Sequence, residues 1–367
     1  MFQYQFLYTV PEFTDYWLSK YGKTVRVYIL GETILTSDHH LIRDILIGPN
    51  SKNFTSRMGN NEGLQNIGMF NKGIIWNNDK KKWKTGRMAF DSNFTSEFLK
   101  KTEYISQEKI LNEILKLNKS DKIKCVKNGH LNYQIDLMNF FRKITLSIVL
   151  EVCFGVSISD DDKDLIIKSI VDYFKAWEFF LLKSNLTSSI FFPNLHQIHN
   201  KAVANLNKNI SNFIDKYLKD FEATPFLSSL KQSNFSDEEI QQNILEMILA
   251  GTDTSSVSLY YTILLLTENK SQYELLVESL HNDPNSRFID FVLKEALRIL
   301  PVGPVIIRQA VDDCKLDGDI KIKKGTNIIM HLARMNRDEE IFKNPLNFEP
   351  ERFNSMENEK EKFFPMG

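Results

Sequence analysis

The sequence has few of the features of a secreted, membrane-spanning or disulfide-bonded protein. Among its 367 residues are only three cysteines, Cys125, Cys153 and Cys314, and their spacing forms no paired pattern. A disulfide framework is therefore not expected, and a reducing compartment is favoured. No apolar run reaches the ~18 residues of a membrane-spanning helix. The first residues also lack the basic and apolar regions of a signal peptide.

The charges almost cancel, since 46 Lys and Arg stand against 47 Asp and Glu. This balance argues against nucleic acid as a partner, because nucleic-acid-binding domains are usually basic. Apolar residues are abundant: 42% of the chain is hydrophobic and 12% aromatic, with 27 Phe. That composition predicts a large folded core. Without internal repeats or a linker, the chain is predicted to form a single domain over residues 1–367.

The residue patterns predict a mainly α fold with a minor β region. Residues 24–36 alternate in the manner of a β-hairpin, and Asp317-Gly318 marks the turn of a second hairpin. From about Asp38 to Phe291 most segments have helical periodicity. A capping box, Ser236-Asp237-Glu238-Glu239, opens a helix expected to reach about Asn269, some 30 residues or ~45–50 Å.

The middle of that helix carries an unusual run, Ala250-Gly251-Thr252-Asp253-Thr254-Ser255. A buried helix normally avoids an acid beside hydroxyls, because each needs a hydrogen-bond partner. The helix is therefore expected to line a cavity and to open its backbone locally. A planar group would lie against Ala250 and Gly251, while Asp253 and Thr254 handle protons. The alternative explanation of the small residues is a close helix–helix contact.

A second motif, Glu295-Ala296-Leu297-Arg298, places opposite charges on one helix face. Its apolar neighbours predict that the pair is partly buried, with Arg352 as a further partner of Glu295. A surface salt bridge is the alternative. A buried pair would indicate a fixed local geometry.

A third motif, Trp83-x-x-x-Arg87, could hold an anionic group by N–H donation and by charge. Arg308 is a further candidate for the same anion. The alternative is a solvated basic helix, since four lysines lie close by: Lys80, Lys81, Lys82 and Lys84.

The order of these motifs resembles that of the haem-thiolate monooxygenases, the cytochromes P-450, over essentially the whole chain. The later signals are Pro-x-x-Pro-x-x-x-Arg, Pro-Glu-Arg-Phe and a final Phe-Pro-Met-Gly. Within that family the likeness is greatest to the aromatases, which oxidise steroids. The resembling segments include residues 54–57, 63–69, 72–78, 173–177 and 244–247.

The resemblance implies a cytochrome P-450 fold, a haem cofactor and a set of site residues. The haem contacts would be Arg57, Trp83, Arg87, Ala250, Gly251 and Arg308. Asp253 and Thr254 would be catalytic, Asp253 relaying protons and, when protonated, donating to a steroid A-ring ketone. The substrate slot would be lined by Ile75, Trp76, Phe174, Trp177, Val305 and Ile307. Plain core packing is the alternative for the aromatic residues. The residues with a structural role would be Glu295, Arg298 and Arg352.

The implied activity is the conversion of androgen to oestrogen, using dioxygen and electrons from NADPH. The electrons would arrive through a flavoprotein reductase, to whose docking the lysines around Trp83 could contribute. By the same resemblance the full-length protein is expected at the endoplasmic reticulum membrane. The alternatives are a monooxygenase for another lipophilic substrate and a haem-free truncated remnant.

The chain departs from the aromatase pattern at three places. Gly251-Thr252 replaces a segment in which a proline usually precedes the acid, and Gly303-Pro304 is expected to reshape the substrate wall. The axial cysteine of the family is expected beyond Gly367, and none of the three cysteines present lies in its motif. No metal ligand is therefore assigned. The chain is expected to be a partial sequence, truncated at both ends and without the membrane anchor.

Overall fold

The computed structural model describes residues 9–354 except residues 29–30, 58–60, 92–93, 120–123, 128–129, 182, 184 and 317–319. The Asp317-Gly318 turn and the final Phe-Pro-Met-Gly motif lie outside the described residues.

Within these ranges the chain is mainly helical, as predicted. The helices are α1 (Val10–Tyr21), α2 (His39–Leu46), α3 (Asn61–Asn66), α4 (Lys80–Asp91), α5 (Ser96–Lys119), α6 (Leu137–Phe154), α7 (Asp160–Leu181), α8 (Asn185–Phe191), α9 (Pro193–Tyr217), α10 (Pro225–Gln232), α11 (Asp237–Leu249), α12 (Ser255–Glu268), α13 (Lys270–Asn282), α14 (Phe288–Ile299) and α15 (Leu332–Met335). The strands are β1 (Thr24–Tyr28), β2 (Glu32–Thr36), β3 (Lys124–Lys127), β4 (His130–Tyr133), β5 (Val305–Gln309), β6 (Cys314–Leu316), β7 (Ile320–Ile322) and β8 (Asn327–His331). None of the described helices is both long and apolar enough to cross a bilayer.

The strands form a four-stranded sheet, ordered β1-β2-β8-β5, and two separate hairpins. The antiparallel pairs β1–β2 and β6–β7 confirm both predicted hairpins. Strand β2 pairs in parallel with β8, with Thr33 opposite Asn327, and β5 pairs antiparallel with β8. The β3–β4 hairpin was not predicted.

The chain divides into two compact units. One contains the described residues of Met1–Asn60 and Ser258–Gly367, and the other those of Asn61–Val257. The core of the first unit includes Ile34, Ile42, Phe54, Ile328 and Met335. In the second unit α7 packs on α9 and α5 on α6, with fully buried side chains that include Phe154, Tyr173, Phe180 and Phe226. The single-domain organisation stays a prediction.

The long central helix begins and continues as predicted. Glu239 N–H donates to Ser236 Oγ at 3.3 Å, and Ser236 N–H donates to Glu239 Oε2 at 2.9 Å, which is the expected capping box. Helix α11 then runs without a break through a π-helical turn (Ala250–Thr254) into α12, which ends at Glu268. The predicted helix is therefore present, with its irregular turn at the predicted place.

Candidate active site

The backbone opens at the small-residue run of the central helix, as the sequence predicted. The Ala250–Thr254 segment is π-helical, a form often found at functional sites. Residues 242–249 are all buried, whereas Ala250 is exposed. Thr254 Oγ1 donates to the carbonyl of Ala250. The helix thus presents a small apolar side chain and a hydroxyl side by side at its one irregular turn.

Helix α6 explains the glycine of this run. A Cβ built on Gly251 would lie 2.5 Å from Val149 Cγ2, which is too close for any side chain. One turn earlier on α6, Thr145 Oγ1 donates to the carbonyl of Thr252 at 3.0 Å. The small residue at 251 is therefore accounted for by helix–helix contact. Its expected role beside a planar group stays a prediction.

Asp253 forms an ion pair with Arg142 of α6. The Nε and Nη2 atoms of Arg142 each lie 2.9 Å from Asp253 Oδ1, and the two side chains are 19% and 17% exposed. The sequence predicted that Asp253 needs a partner, but nothing in it pointed to Arg142, 111 residues away. The carboxylate of Asp253 accepts these hydrogen bonds from Arg142, and its proton relay and its donation to a ketone when protonated stay predictions.

Three of the predicted substrate residues lie together in the second unit. The rings of Trp76 and Trp177 are 5.6 Å apart between centroids, and Phe174 stacks on Trp177 at 5.9 Å. Trp76 is 8% exposed, while Phe174 and Trp177 are half-buried. The neighbouring Tyr173 fixes α7 through a 2.8 Å hydrogen bond to the carbonyl of Ile67. The result is a cluster of aromatic rings, and Ile75 directly precedes one of its members, Trp76, in the sequence.

Trp83 and Arg87 lie on α4 and face solvent. Trp83 is 39% exposed, and Arg87 pairs with Asp91 at 2.9 Å with its side chain 54% exposed. Lys82 on the same helix pairs with Glu239 at 2.6 Å. Within the second unit these contacts correspond to a solvated basic helix, and the role of Trp83 and Arg87 in holding an anion stays a prediction.

Arg308 and Arg57 are two partly buried cations that lie near each other in the first unit. Burial and the neighbouring charge of Arg57 lower the pKa of Arg308 to about 10, and burial also lowers the pKa of Arg57. Arg308 Nη1 donates to the carbonyl of Ile307 at 3.0 Å, and no carboxylate in the described ranges pairs with Arg308. Two partly buried cations near each other fit an anionic group such as a carboxylate.

Strand β5 also positions the predicted contacts Val305 and Ile307. Strand β5 lies at an edge of the sheet. The N–H of Gln309 donates to the backbone carbonyl of Ser56 at 2.9 Å, on the side of β5 away from β8. Because N–H directions alternate with a period of two, the Ile307 amide points off the same edge. The N–H group of Ile307 is therefore a backbone donor that is directed away from the β5–β8 ladder.

The Glu295–Arg298 pair is fully buried. Nε and Nη2 of Arg298 each lie 2.8 Å from one oxygen of Glu295, and both side chains are 0% exposed. Arg352 Nε binds Glu295 Oε1 at 2.9 Å, which confirms the predicted second partner. Arg298 Nη1 also donates to the carbonyls of Asn336 and Pro345 at 2.8 and 2.7 Å. The cluster joins α14 to the loops that follow β8.

The thiols of Cys153 and Cys314 both have raised pKa values. Burial raises the pKa of the Cys153 thiol to about 12. Burial and nearby aspartates, Asp44 among them, raise the pKa of Cys314. Among the described residues no group of His, Cys, Asp and Glu could hold a metal ion.

The chain is similar to known proteins over nearly its whole length. Aromatase 2 of Sus scrofa is 30% identical over 363 residues, which cover 92% of this chain and 68% of that protein. Aromatase of Homo sapiens is 29% identical with the same coverage. Among solved structures, a zebra fish cytochrome P450 with progesterone has a TM-score of 0.76 at 20% identity, covering 94% of this chain and 84% of its own.

A second solved structure, the retinoic acid bound cyanobacterial CYP120A1, has a TM-score of 0.72 at 17% identity, covering 94% of this chain and 77% of its own. At these identities the solved structures support the fold. A family model described as Cytochrome P450 matches residues 2–367. The chain therefore belongs to the cytochrome P450 family, whose cofactor is haem.

Proposed function

We propose that this P450 monooxygenase oxidises a steroid, in an aromatase-like conversion of androgen to oestrogen. The observation that carries the proposal is the similarity to aromatases over 92% of the chain. It is supported by the aromatic cluster of Trp76, Phe174 and Trp177, since flat rigid rings suit the face of a flat apolar substrate. The reaction would be three successive oxidations of the angular methyl, with loss of that carbon and aromatisation of the A ring.

The partly buried cations Arg308 and Arg57 of the first unit fit the haem. When bound, haem supplies the activation of dioxygen that oxidation of a C–H bond requires. Arg308 and Arg57 would bind its propionates, since burial strengthens a charge-assisted contact. Trp83 and Arg87 are also proposed to bind a haem propionate. Arg87 would then give up its exposed ion pair with Asp91. The exposed methyl of Ala250 and the neighbouring Gly251 would lie along the ring.

Asp253 and Thr254 are proposed to handle protons at the π-turn. The Thr254 hydroxyl would pass a proton to the reacting oxygen, and Asp253 would deliver protons to it. Arg142 holds the Asp253 carboxylate in place, so a direct hydrogen bond from a protonated Asp253 to an A-ring ketone would require this ion pair to open.

The substrate would be held by apolar contacts and by one backbone donor. The Ile307 amide, which points off the sheet edge, is proposed to bind a D-ring ketone. Val305 and Ile75 are proposed as further apolar contacts of the substrate. The sites of the two units are assigned to one substrate on the resemblance to aromatases.

Electron supply and location follow from the same resemblance. We propose that a flavoprotein reductase delivers electrons from NADPH, and that the basic face of α4 contributes to its docking. The endoplasmic reticulum membrane is the proposed location.

The test uses protein expressed from the complete reading frame, with haem bound. Carbon monoxide added to the reduced protein should give the Soret band of thiolate-bound iron, and androstenedione with NADPH and a reductase should give oestrone. Absence of that band would refute the haem-thiolate assignment. Oxidation of other lipophilic compounds without aromatisation would favour the second candidate, a monooxygenase for a different lipophilic substrate.

A matched pair of variants tests the haem contact. Arg308→Gln should accelerate haem transfer to apomyoglobin about tenfold or more, because a buried charge-assisted contact is lost. Arg26→Gln is the control, since Arg26 is 42% exposed and pairs with Glu32. Equal haem transfer from both variants would refute the role of Arg308.

A further inference from the structure

The loop of residues 71–78 carries two of the proposed substrate contacts, Ile75 and Trp76, and is closed by its own polar groups. Asn71 N–H donates to the carbonyl of Trp76 at 3.0 Å, and Asn77 Nδ2 donates to the carbonyl of Gly73 at 2.9 Å. These bonds fold the loop on itself, and they leave the amides of Ile74 and Ile75 directed outward from the loop.

A buried carboxylate of the central helix takes both of those amides. Glu246 is 0% exposed, and its Oε2 accepts from the N–H groups of Ile74 and Ile75 at 2.7 and 2.9 Å. Its Oε1 accepts from Gln242 Nε2 at 2.9 Å. Both carboxylate oxygens are thus used, and the loop is tied to α11 through its backbone.

Gly73 permits this close approach. A Cβ built on Gly73 would lie 2.0–2.3 Å from the carboxylate atoms of Glu246, so no side chain can stand there while Glu246 keeps its place. Gly86 of α4 is a second close contact, because a Cβ built on Gly86 would lie 2.7 Å from Ile74 Cγ2. The loop is therefore held on two sides at positions where a larger residue does not fit.

The charge of the Glu246 carboxylate is stabilised by N–H dipoles, those of the Ile74 and Ile75 amides and of the Gln242 side chain. No cation within the described part of the chain pairs with Glu246, and burial raises its pKa while the hydrogen bonds oppose that shift. A buried carboxylate without a counter-ion is costly. Such a group needs every hydrogen bond it makes, so the contact to the loop is geometrically specific.

We infer that Glu246 is a positioning residue, which fixes the loop bearing Ile75 and Trp76 at a set place on the helix that presents Ala250 one turn later. By this means the central helix positions both its own π-turn (Ala250–Thr254) and one wall of the substrate slot. The wall role rests on the proposed function, whereas the anchoring of the loop does not.

Anchoring is tested by hydrogen exchange measured by mass spectrometry, on the complete haem-loaded protein without substrate. Glu246→Ala should accelerate exchange of the Ile74 and Ile75 amides about tenfold or more. Peptides from α14 should keep their protection, which shows that the fold is intact. Glu278→Ala, at an exposed position of α13, is the matched control. Unchanged exchange at residues 74–75 in Glu246→Ala would overturn the inference.

Glu246→Gln distinguishes positioning from charge. The Gln oxygen can accept both backbone N–H groups, and its amide can donate to Gln242 once that side chain turns its own oxygen inward. Exchange at residues 74–75 should therefore stay close to that of the wild type. Rapid exchange in the Gln variant would overturn the positioning role as stated.

The wall role is tested with androstenedione. Glu246→Ala should raise the dissociation constant and the KM for androstenedione about tenfold, with a smaller change in kcat. Glu246→Gln should return both constants to the values of the wild type. Faster loop exchange with unchanged androstenedione binding would overturn the wall role alone. If the wild type itself does not bind the steroid, the proposed function fails, and the anchoring is still decided by hydrogen exchange.

Gly73→Ala gives an independent test in the same loop. Its added methyl should displace the Glu246 carboxylate and accelerate exchange at residues 74–75. In the Glu246→Ala background the same substitution should have little further effect, because the atoms it would meet are gone. Additive effects would contradict the contact.

Discussion

Arg142 and Asp253 are joined by two contacts of 2.9 Å across the face between α6 and the π-turn. Neither charge is well solvated, so each depends on the other, and removing one partner leaves an uncompensated charge. The acid of the central helix is thus held in a defined orientation by a residue from another helix.

Breaking this pair should affect turnover more than binding. For Asp253→Asn we expect kcat to fall about 100-fold, the loss typical of a group that transfers protons, with little change in the dissociation constant of the substrate. Steady-state kinetics normalised to haem content measure this. Arg142→Gln should lower kcat in the same direction, and the double variant should be no worse than Asp253→Asn. Fully additive losses would show that the two residues act separately.

Gly251→Ala should destabilise the second unit. The new methyl would lie 2.5 Å from Val149 Cγ2, and such overpacking costs about 1–3 kcal/mol. Urea unfolding measures the change, and Val149→Ala should recover most of it by making room. Gly303→Ala is the control for stability, since a Cβ there has nothing within 4 Å. Equal effects at 251 and 303 would contradict the contact.

Glu295→Ala should be among the most damaging substitutions in the first unit. It leaves Arg298 buried without its carboxylate, which costs about 3–5 kcal/mol. The yield of folded protein and thermal unfolding should both fall sharply. Glu274→Ala is the control, because that carboxylate makes an exposed pair with Lys270 at 3.7 Å and should be nearly neutral. A tolerated Glu295→Ala would disprove the structural role.

Glu246 should make stability depend on pH. Burial raises its pKa above the ordinary value of 4.5, so the folded protein holds this proton more tightly than the unfolded chain. The contribution of Glu246 to the free energy of unfolding is then lost as pH rises from its pKa in the unfolded chain to its higher pKa in the folded protein. Below and above that pH range the contribution is constant. The free energy of unfolding of Glu246→Gln, minus that of the wild type, should grow across the window. Urea titrations over a pH series that show a constant difference would contradict this.

Local spacing was sufficient to predict several elements. The capping box, both hairpins, the irregular turn of the central helix and the Glu295–Arg298 pair all depend on residues near in sequence. For these elements, the sequence did not reveal which residues from distant parts of the chain contact them. Arg352 was the exception, because the Pro-Glu-Arg-Phe motif offered it as a second charged partner for Glu295, and the two side chains do meet.

Contacts between distant segments could not be predicted. Nothing in the spacing indicates that Arg142 meets Asp253, or that Glu246 takes the amides of Ile74 and Ile75. Such contacts depend on how helices pack, which a single sequence does not reveal. The same holds for Gly251, where the close neighbour is Val149 of another helix. The contact with Val149 explains why residue 251 must be small, and the role of Gly251 beside a planar group stays a prediction.

The parallel pairing of β2 with β8 has a consequence for assembly. Thr33 and Asn327 are brought side by side from opposite ends of the chain, and closing a loop of about 300 residues costs roughly 5 kcal/mol of chain entropy. We expect this sheet to acquire amide protection late in refolding, after the contiguous segment 61–257, in a pulse-labelling experiment. Until then β2 has an unsatisfied edge, so newly made chains are most prone to self-association before β8 has emerged and paired with β2.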